Sequence, residues 1–101
     1  MSLSLPALVA EIVTDLPEAR SLSADGVITW SVADRPFATL GPSGVEVRLD
    51  PSIAVAAGRT PDAGPSPRGP EWVRFDPIEL DGHAVDRLRA WLVLAYRRAL
   101  G

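Results

Sequence analysis

Apolar residues recur at helical spacing at both ends of the chain. Near the N-terminus, Ser4 is placed to cap a helix and Pro17 to end it, and the apolar stripe between them comprises Leu5, Leu8, Val9, Ile12 and Leu16. Near the C-terminus, a longer stripe follows Asp81-Gly82 and comprises Val85, Leu88, Trp91, Leu92, Ala95 and Ala99. Such a stripe buries one face of a helix, so the sequence predicts a short N-terminal helix and a long C-terminal helix.

Between these helices the apolar residues alternate with polar ones. The turn dipeptide Asp25-Gly26 separates 19–23 from 27–32, which predicts a β-hairpin. In 45–50, Val45, Val47 and Leu49 fall on one side of the chain and Glu46 and Arg48 on the other, as in a half-buried antiparallel strand. Further strands are predicted at 37–40 and 71–75, with a short helix at 53–57.

This element order predicts one α+β domain covering 1–101. We expect a single antiparallel sheet of about four to five strands, with the N- and C-terminal helices packed on one face. Trp30 and Trp91 are expected to anchor the helices on the sheet. The opposite face is expected to be open to water and to carry Glu46, Arg48, Trp72 and Arg74, with Thr29 and Ser31 beside them.

The segment 58–70 contains seven glycine and proline residues among its 13 positions. Proline removes an amide donor and fixes φ, so this composition argues against a helix interior or a central strand. We predict a mobile surface loop that is dispensable for folding. A phosphate cradle at Gly64–Pro70 with Arg68 as a donor is an alternative. Four prolines from Pro61 to Pro70 remove amides that such a cradle needs, so a flexible or polyproline segment is favoured.

Composition narrows the classes of function. The chain has no cysteine, which excludes thiol nucleophiles and thiolate metal sites, and its formal net charge of −3 does not favour binding to a polyanion. No apolar run is long enough to span a membrane, and no basic N-terminal segment indicates a signal peptide. We therefore expect a cytoplasmic protein without cofactors, either a monomer or a weak homodimer.

Several short segments resemble the MmcQ/YjbR family of small bacterial domains. The resemblance lies in 35–40 (Arg-Pro-Phe-Ala-Thr-Leu), 45–51 (Val-Glu-Val-Arg-Leu-Asp-Pro), Trp72-Val73 and the helical Ala-Tyr-Arg-Arg at 95–98. It implies a CyaY-like α+β fold and a nucleic-acid-binding function of the double-wing type. The chain departs from that pattern at Glu71, where many members have histidine, and in lacking lysine. It is also similar to the small luciferase-like domain family in its Gly58-Arg59 segment, its Trp72-Val73 strand and its last helix.

The predicted open face provides the favoured binding site. Arg48 and Arg74 beside Trp72, with Glu46 on the same face, have the chemistry to hold an acidic protein or a small acidic ligand. We therefore expect a non-enzymatic binding or regulatory module. Nucleic-acid binding is the alternative. It would involve the arginines of the last helix, which we otherwise expect to keep that helix soluble (Arg87, Arg89, Arg97 and Arg98).

A third hypothesis is a small metal-dependent or hydrolase-like enzyme centred on His83. Carboxylates near this histidine in the sequence would share a cation with it (Asp76, Glu79 and Asp81). A hydrolase would instead need a nucleophile such as Ser66. Because the group has one histidine and no second one at helical spacing, we expect Asp81 to cap the helix and the other carboxylates to be solvated.

Overall fold

The computed structural model describes residues 4–101. Within them, three helices span Leu5–Thr14 (α1), Pro51–Ala57 (α2) and Gly82–Leu100 (α3), and six strands span Arg20–Ala24 (β1), Val27–Val32 (β2), Arg35–Gly41 (β3), Gly44–Arg48 (β4), Ala63–Ser66 (β5) and Gly69–Phe75 (β6). The strands form one antiparallel sheet in the order β1-β2-β3-β4-β6-β5. The predicted α+β class is confirmed, with six strands rather than four to five.

Two tight turns of the same kind connect the first three strands. Asp25-Gly26 joins β1 to β2 with φ angles of 55° and 79°, and Ala33-Asp34 joins β2 to β3 with 52° and 61°. Positive φ at both central residues defines the turn whose twist matches a β-hairpin. The hairpin predicted at Asp25-Gly26 is therefore confirmed.

The helix layer covers the centre of one sheet face. Helix α3 packs on β2, β3 and β4, and α1 packs beside it against α3. Trp30 is 7% exposed and Trp91 is 8% exposed, so their predicted burial is confirmed. The Trp91 ring meets Phe75 edge to face with centroids 5.2 Å apart, which anchors α3 on β6.

A β-bulge adds one more aromatic ring to this core. Trp30 lies opposite Ala38 and Ser31 lies opposite Pro36, so Phe37 has no partner on β2. Strict alternation would place Phe37 and Ala38 on opposite faces of the sheet, but a bulge removes that constraint. Phe37 is fully buried, and its ring packs edge to face on Tyr96 of α3 at 5.8 Å.

The prediction of a mobile loop at 58–70 was wrong. Residues 63–66 form β5, the edge strand, and β6 begins at Gly69. The hairpin tolerates proline because β5 pairs on one side only, with β6, and its register shifts between Pro65 and Ser66. The hairpin is also closed at the end away from its turn, where the Asp76 amide donates to the Asp62 carbonyl at 3.0 Å. The segment is therefore part of the sheet.

Coverage of the sheet is uneven at its two edges. Helix α2 connects β4 to β5 and packs on β6 and β5. All five residues of β1 are exposed at the other edge. The sheet therefore extends beyond its helix layer on the β1 side.

Candidate binding surface

The four residues predicted to form the binding site are neighbours on β4 and β6. Glu46 lies directly opposite Arg74, and Arg48 lies directly opposite Trp72. The residues that alternate with them along these two strands are buried, namely Val45, Val47, Val73 and Phe75. The alternation of β4 and β6 therefore places the predicted positions on the side of the sheet away from the core, but the Arg48 side chain does not stay with the others, because it lines a pocket with Ala95 and Ala99 of α3.

Glu46 is the centre of a small polar network. Its carboxylate accepts hydrogen bonds from the Thr39 hydroxyl at 3.3 Å, from the Arg68 Nε at 3.0 Å and from the Ser66 hydroxyl. Partial burial alone would raise the pKa of Glu46, but the hydrogen bonds from Ser66 and Arg68, the Arg68 charge and the Thr39 hydrogen bond together lower it. Glu46 therefore stays ionised and neutralises Arg68.

Trp72 is half-buried, whereas Trp30 is buried, which is the order of exposure predicted for the two residues. The guanidinium carbon of Arg68 lies 5.7 Å from the centre of the Trp72 ring, within the range of a cation–π contact. Trp72 also lines a shallow cleft with α2 and two prolines, Pro65 and Pro70. It therefore offers an accessible aromatic surface rather than a fully open ring.

Arg74 is exposed and forms no ion pair with a carboxylate of residues 4–101. Arg48 differs, because its Nε donates to Glu71 Oε2 at 2.9 Å. The other Glu71 oxygen accepts a hydrogen bond from Arg98 Nη2 at 2.8 Å. Both hydrogen bonds lower the pKa of Glu71, and the one from Arg98 has the larger effect. Arg48 is thus held towards α3, and Arg74 is the arginine left available beside Trp72.

The acidic group around His83 does not assemble into a metal site. Among residues 4–101, no three histidine, cysteine or acidic side chains lie close enough together to hold an ion. Asp81 caps α3 instead, accepting a hydrogen bond from the Ala84 amide at 2.8 Å. His83, Asp76 and Glu79 are exposed.

The two residues of 64–70 that were considered for function, Ser66 as a nucleophile and Arg68 as a phosphate donor, form hydrogen bonds with other groups. Ser66 donates to Glu46 rather than to His83. The Arg68 amide donates to Ser66 Oγ at 3.1 Å, and the Arg68 side chain donates to Glu46. The Ser66 hydroxyl, the Arg68 amide and the Arg68 Nε therefore belong to the polar network around Glu46.

Two of the four arginines on α3 are engaged within the fold. Arg87 Nη1 donates to the Pro61 carbonyl at 2.6 Å, and its guanidinium carbon lies 5.0 Å from the centre of the Phe75 ring. Arg98 bonds Glu71, as described above, but it is exposed, like Arg89 and Arg97. The helix therefore presents three exposed arginines, one of which is held by a carboxylate, rather than the four free cations suggested by its sequence.

Sequence reasoning missed the contacts of Ser66, Arg68 and Glu71. Ser66 and Arg68 lie within the segment that was interpreted as a mobile loop, so their hydrogen bonds to Glu46 were not expected. Glu71 was noted only as a departure from a family pattern. Nothing in the local sequence indicates these contacts, which depend on the order of the strands in the sheet.

Comparisons with protein-family models, with curated proteins and with solved structures found no match for this chain. Among residues 4–101, no helix has both the length and the apolar character needed to cross a bilayer.

Proposed function

We propose that this protein is a cytoplasmic, non-enzymatic binding module that holds an acidic protein segment on the open face of its sheet. The observation that carries the proposal is the exposed Arg74 beside the half-buried Trp72. Glu46, the acidic member of the predicted set, is already neutralised by Arg68. This part of the surface is therefore cationic although the whole chain carries a formal net charge of −3.

The chemistry of this surface favours a carboxylate-bearing partner. A guanidinium next to an indole combines ionic hydrogen bonding with apolar contact, and arginine and tryptophan are enriched among residues that dominate binding energy. A partner carrying glutamate or aspartate would meet Arg74 directly. Trp72 and the cleft it shares with α2 would contact neighbouring apolar groups.

An NMR titration of the ¹⁵N-labelled protein with an oligoglutamate peptide tests this proposal. We expect saturable shifts at the amides of β4 and β6, centred on Glu46, Trp72 and Arg74. Trp72→Ala should weaken binding by about thirtyfold, the equivalent of about 2 kcal/mol at an interface hot spot. Arg74→Glu should weaken it similarly. Arg89→Glu makes the same charge change on α3 and should leave the affinity within about twofold after correction for net charge.

A second titration, with a single-stranded oligonucleotide, tests the alternative function implied by the resemblance to the MmcQ/YjbR family. Phosphate-driven binding would weaken steeply with salt and would depend on Arg89 or Arg97 as much as on Trp72. That outcome, or oligoglutamate shifts centred on α3, would contradict the proposed acidic-segment function. Absence of saturable shifts with oligoglutamate would contradict it as well.

A further inference from the structure

A second cationic site lies at the end of the sheet, against the last turns of α3. A pocket of about 270 Å³ there is lined by Arg35, Pro36, Arg48, Ala95, Arg98 and Ala99. Three of its six lining residues are arginines, contributed by β3, β4 and α3. Proline and two alanines form the rest of the wall. The fold thus brings three guanidinium groups from distant parts of the chain to one concave site.

Hydrogen bonds hold these guanidinium groups in place. The Glu71 carboxylate bonds Arg48 with one oxygen and Arg98 with the other, at 2.9 and 2.8 Å. Arg35 Nη1 donates to the Ala99 carbonyl at 3.3 Å. Each guanidinium carries five N–H donors, and each uses one of them in these contacts. The remaining donors are positioned without being consumed, and such preorganisation reduces the entropic cost of binding a ligand.

The charge of the site indicates the class of ligand. Glu71 offsets one of the three positive charges, Asp50 interacts electrostatically with Arg98, and the carbonyl end of α3 contributes roughly half a negative charge. The lining arginines still outnumber the carboxylate that is hydrogen-bonded to them, which favours an anionic ligand. A phosphate group carries about −1.5 to −2 at neutral pH, and arginine binds its oxygens in bidentate geometry. The cavity volume is below the roughly 300–1,000 Å³ of pockets for drug-sized ligands, which suits a compact group.

We propose that the Arg35–Arg48–Arg98 pocket binds the phosphate group of a small phosphate monoester. This site differs from the open-face surface in both location and ligand. Arg48 belongs to the predicted open-face set, so the test relies on Arg35 and Arg98, which do not. Its failure is therefore distinguishable from failure of the acidic-segment proposal.

The experiment titrates the ¹⁵N-labelled protein with phosphoserine and, separately, with inorganic phosphate. Sodium chloride at matched ionic strength is the control for screening. The Nε–Hε signals of Arg35, Arg48 and Arg98 should shift with saturation, at a dissociation constant of about 0.1–1 mM. This readout uses the unaltered protein, so it does not depend on the folding of any variant.

Substitutions then assign the site. Arg35→Gln and Arg98→Gln should each weaken phosphoserine binding by about tenfold, because each removes charge-assisted hydrogen bonds. Arg89→Gln on the exposed side of α3 is the matched control and should change the affinity by less than about twofold. Arg74→Glu should likewise leave phosphoserine binding nearly intact, which separates this site from the open face.

Three results would overturn the proposal. The first is uniform, non-saturating shifts of all arginine signals, as simple ionic screening would produce. The second is equal weakening by Arg35→Gln and Arg89→Gln. The third is binding of inorganic phosphate without binding of phosphoserine, which would exclude a monoester as the ligand.

Discussion

The three tryptophans occupy two kinds of environment, although each of them lies in a predicted strand or helix. Trp30 lies in β2 under the helix layer and is 7% exposed, whereas Trp72 in β6 is only half-buried. Trp91 belongs to the packed face of α3. The same residue type therefore contributes mainly to the core at positions 30 and 91 and is available for binding at position 72.

Truncation of Trp30 and Trp72 should separate these two roles. Trp30→Ala should lower the free energy of unfolding by about 3–5 kcal/mol, because it leaves a cavity below the helix layer. Trp72→Ala should cost about 1–2 kcal/mol, within the range of most point substitutions, because the side chain is only half-buried. Urea denaturation followed by far-ultraviolet circular dichroism measures both values. Equal costs, or a cheaper Trp30→Ala, would contradict the assigned environments.

For individual residues, the sequence predicted which side chains share a surface better than it predicted their hydrogen-bond partners. Alternation along β4 and β6 was sufficient to group Glu46, Arg48, Trp72 and Arg74. It was insufficient to show that Arg48 bonds Glu71, or that Arg68 reaches Glu46. Those contacts depend on side-chain conformations and on a turn between two strands, which periodicity does not describe.

Among the structural elements, those marked by periodicity or by a turn signal were predicted correctly, and β5, which has neither, was missed. Strand β4 and the helix beginning at Gly82 follow a periodic pattern, and the turn at Asp25-Gly26 marked β1 and β2. Strand β5 reads Ala-Gly-Pro-Ser, a sequence without alternating apolar and polar residues. Its position is set by pairing with β6 and by the contact of Ser66 with Glu46, both of which are tertiary.

The pairing of β5 changes the expected effect of shortening 58–70. Replacing this segment by four glycine or serine residues removes the edge strand and the hydrogen bonds of Ser66, Arg68 and Pro61. We expect a loss well above the 1.5 kcal/mol or so that a mobile loop would allow, on the order of 3 kcal/mol. Urea denaturation measures it.

The matched control for that experiment is a loop that lies outside the sheet. Two glycines inserted after Ile78, which is 97% exposed, lengthen the connection between β6 and α3. Their cost should be a fraction of 1 kcal/mol, because loop entropy rises slowly with length. If the shortened protein were as stable as this insertion variant, β5 would contribute nothing to the fold.

For the whole molecule, charge balance is local rather than global. The formal net charge is −3, yet Glu46 and Glu71 each bond arginines that are distant in sequence. Glu71 connects β4 and β6 to the end of α3, and Glu46 connects β4 to the β5–β6 turn. The two carboxylates therefore add side-chain contacts between elements that already meet through strand pairing or apolar packing.

This arrangement predicts an acid-dependent loss of stability. Both carboxylates have a lowered pKa in the folded protein, so their contribution is fully present above the ordinary glutamate pKa of about 4.3. It is lost as the pH falls through their folded pKa values. Denaturation at a series of pH values should show this decline, and Glu46→Gln and Glu71→Gln should each make it shallower. An unchanged profile in both variants would contradict the assigned role.

The uncovered edge strand has a consequence for motion within the native state. Strand β1 has five exposed residues and pairs with β2 alone, so few apolar contacts oppose its detachment. β3 and β4, by contrast, are paired on both sides beneath α3. Local opening requires least free energy where buried contacts are fewest. The molecule should therefore fluctuate by fraying from β1 while the centre of the sheet stays closed, well before the chain unfolds as a whole.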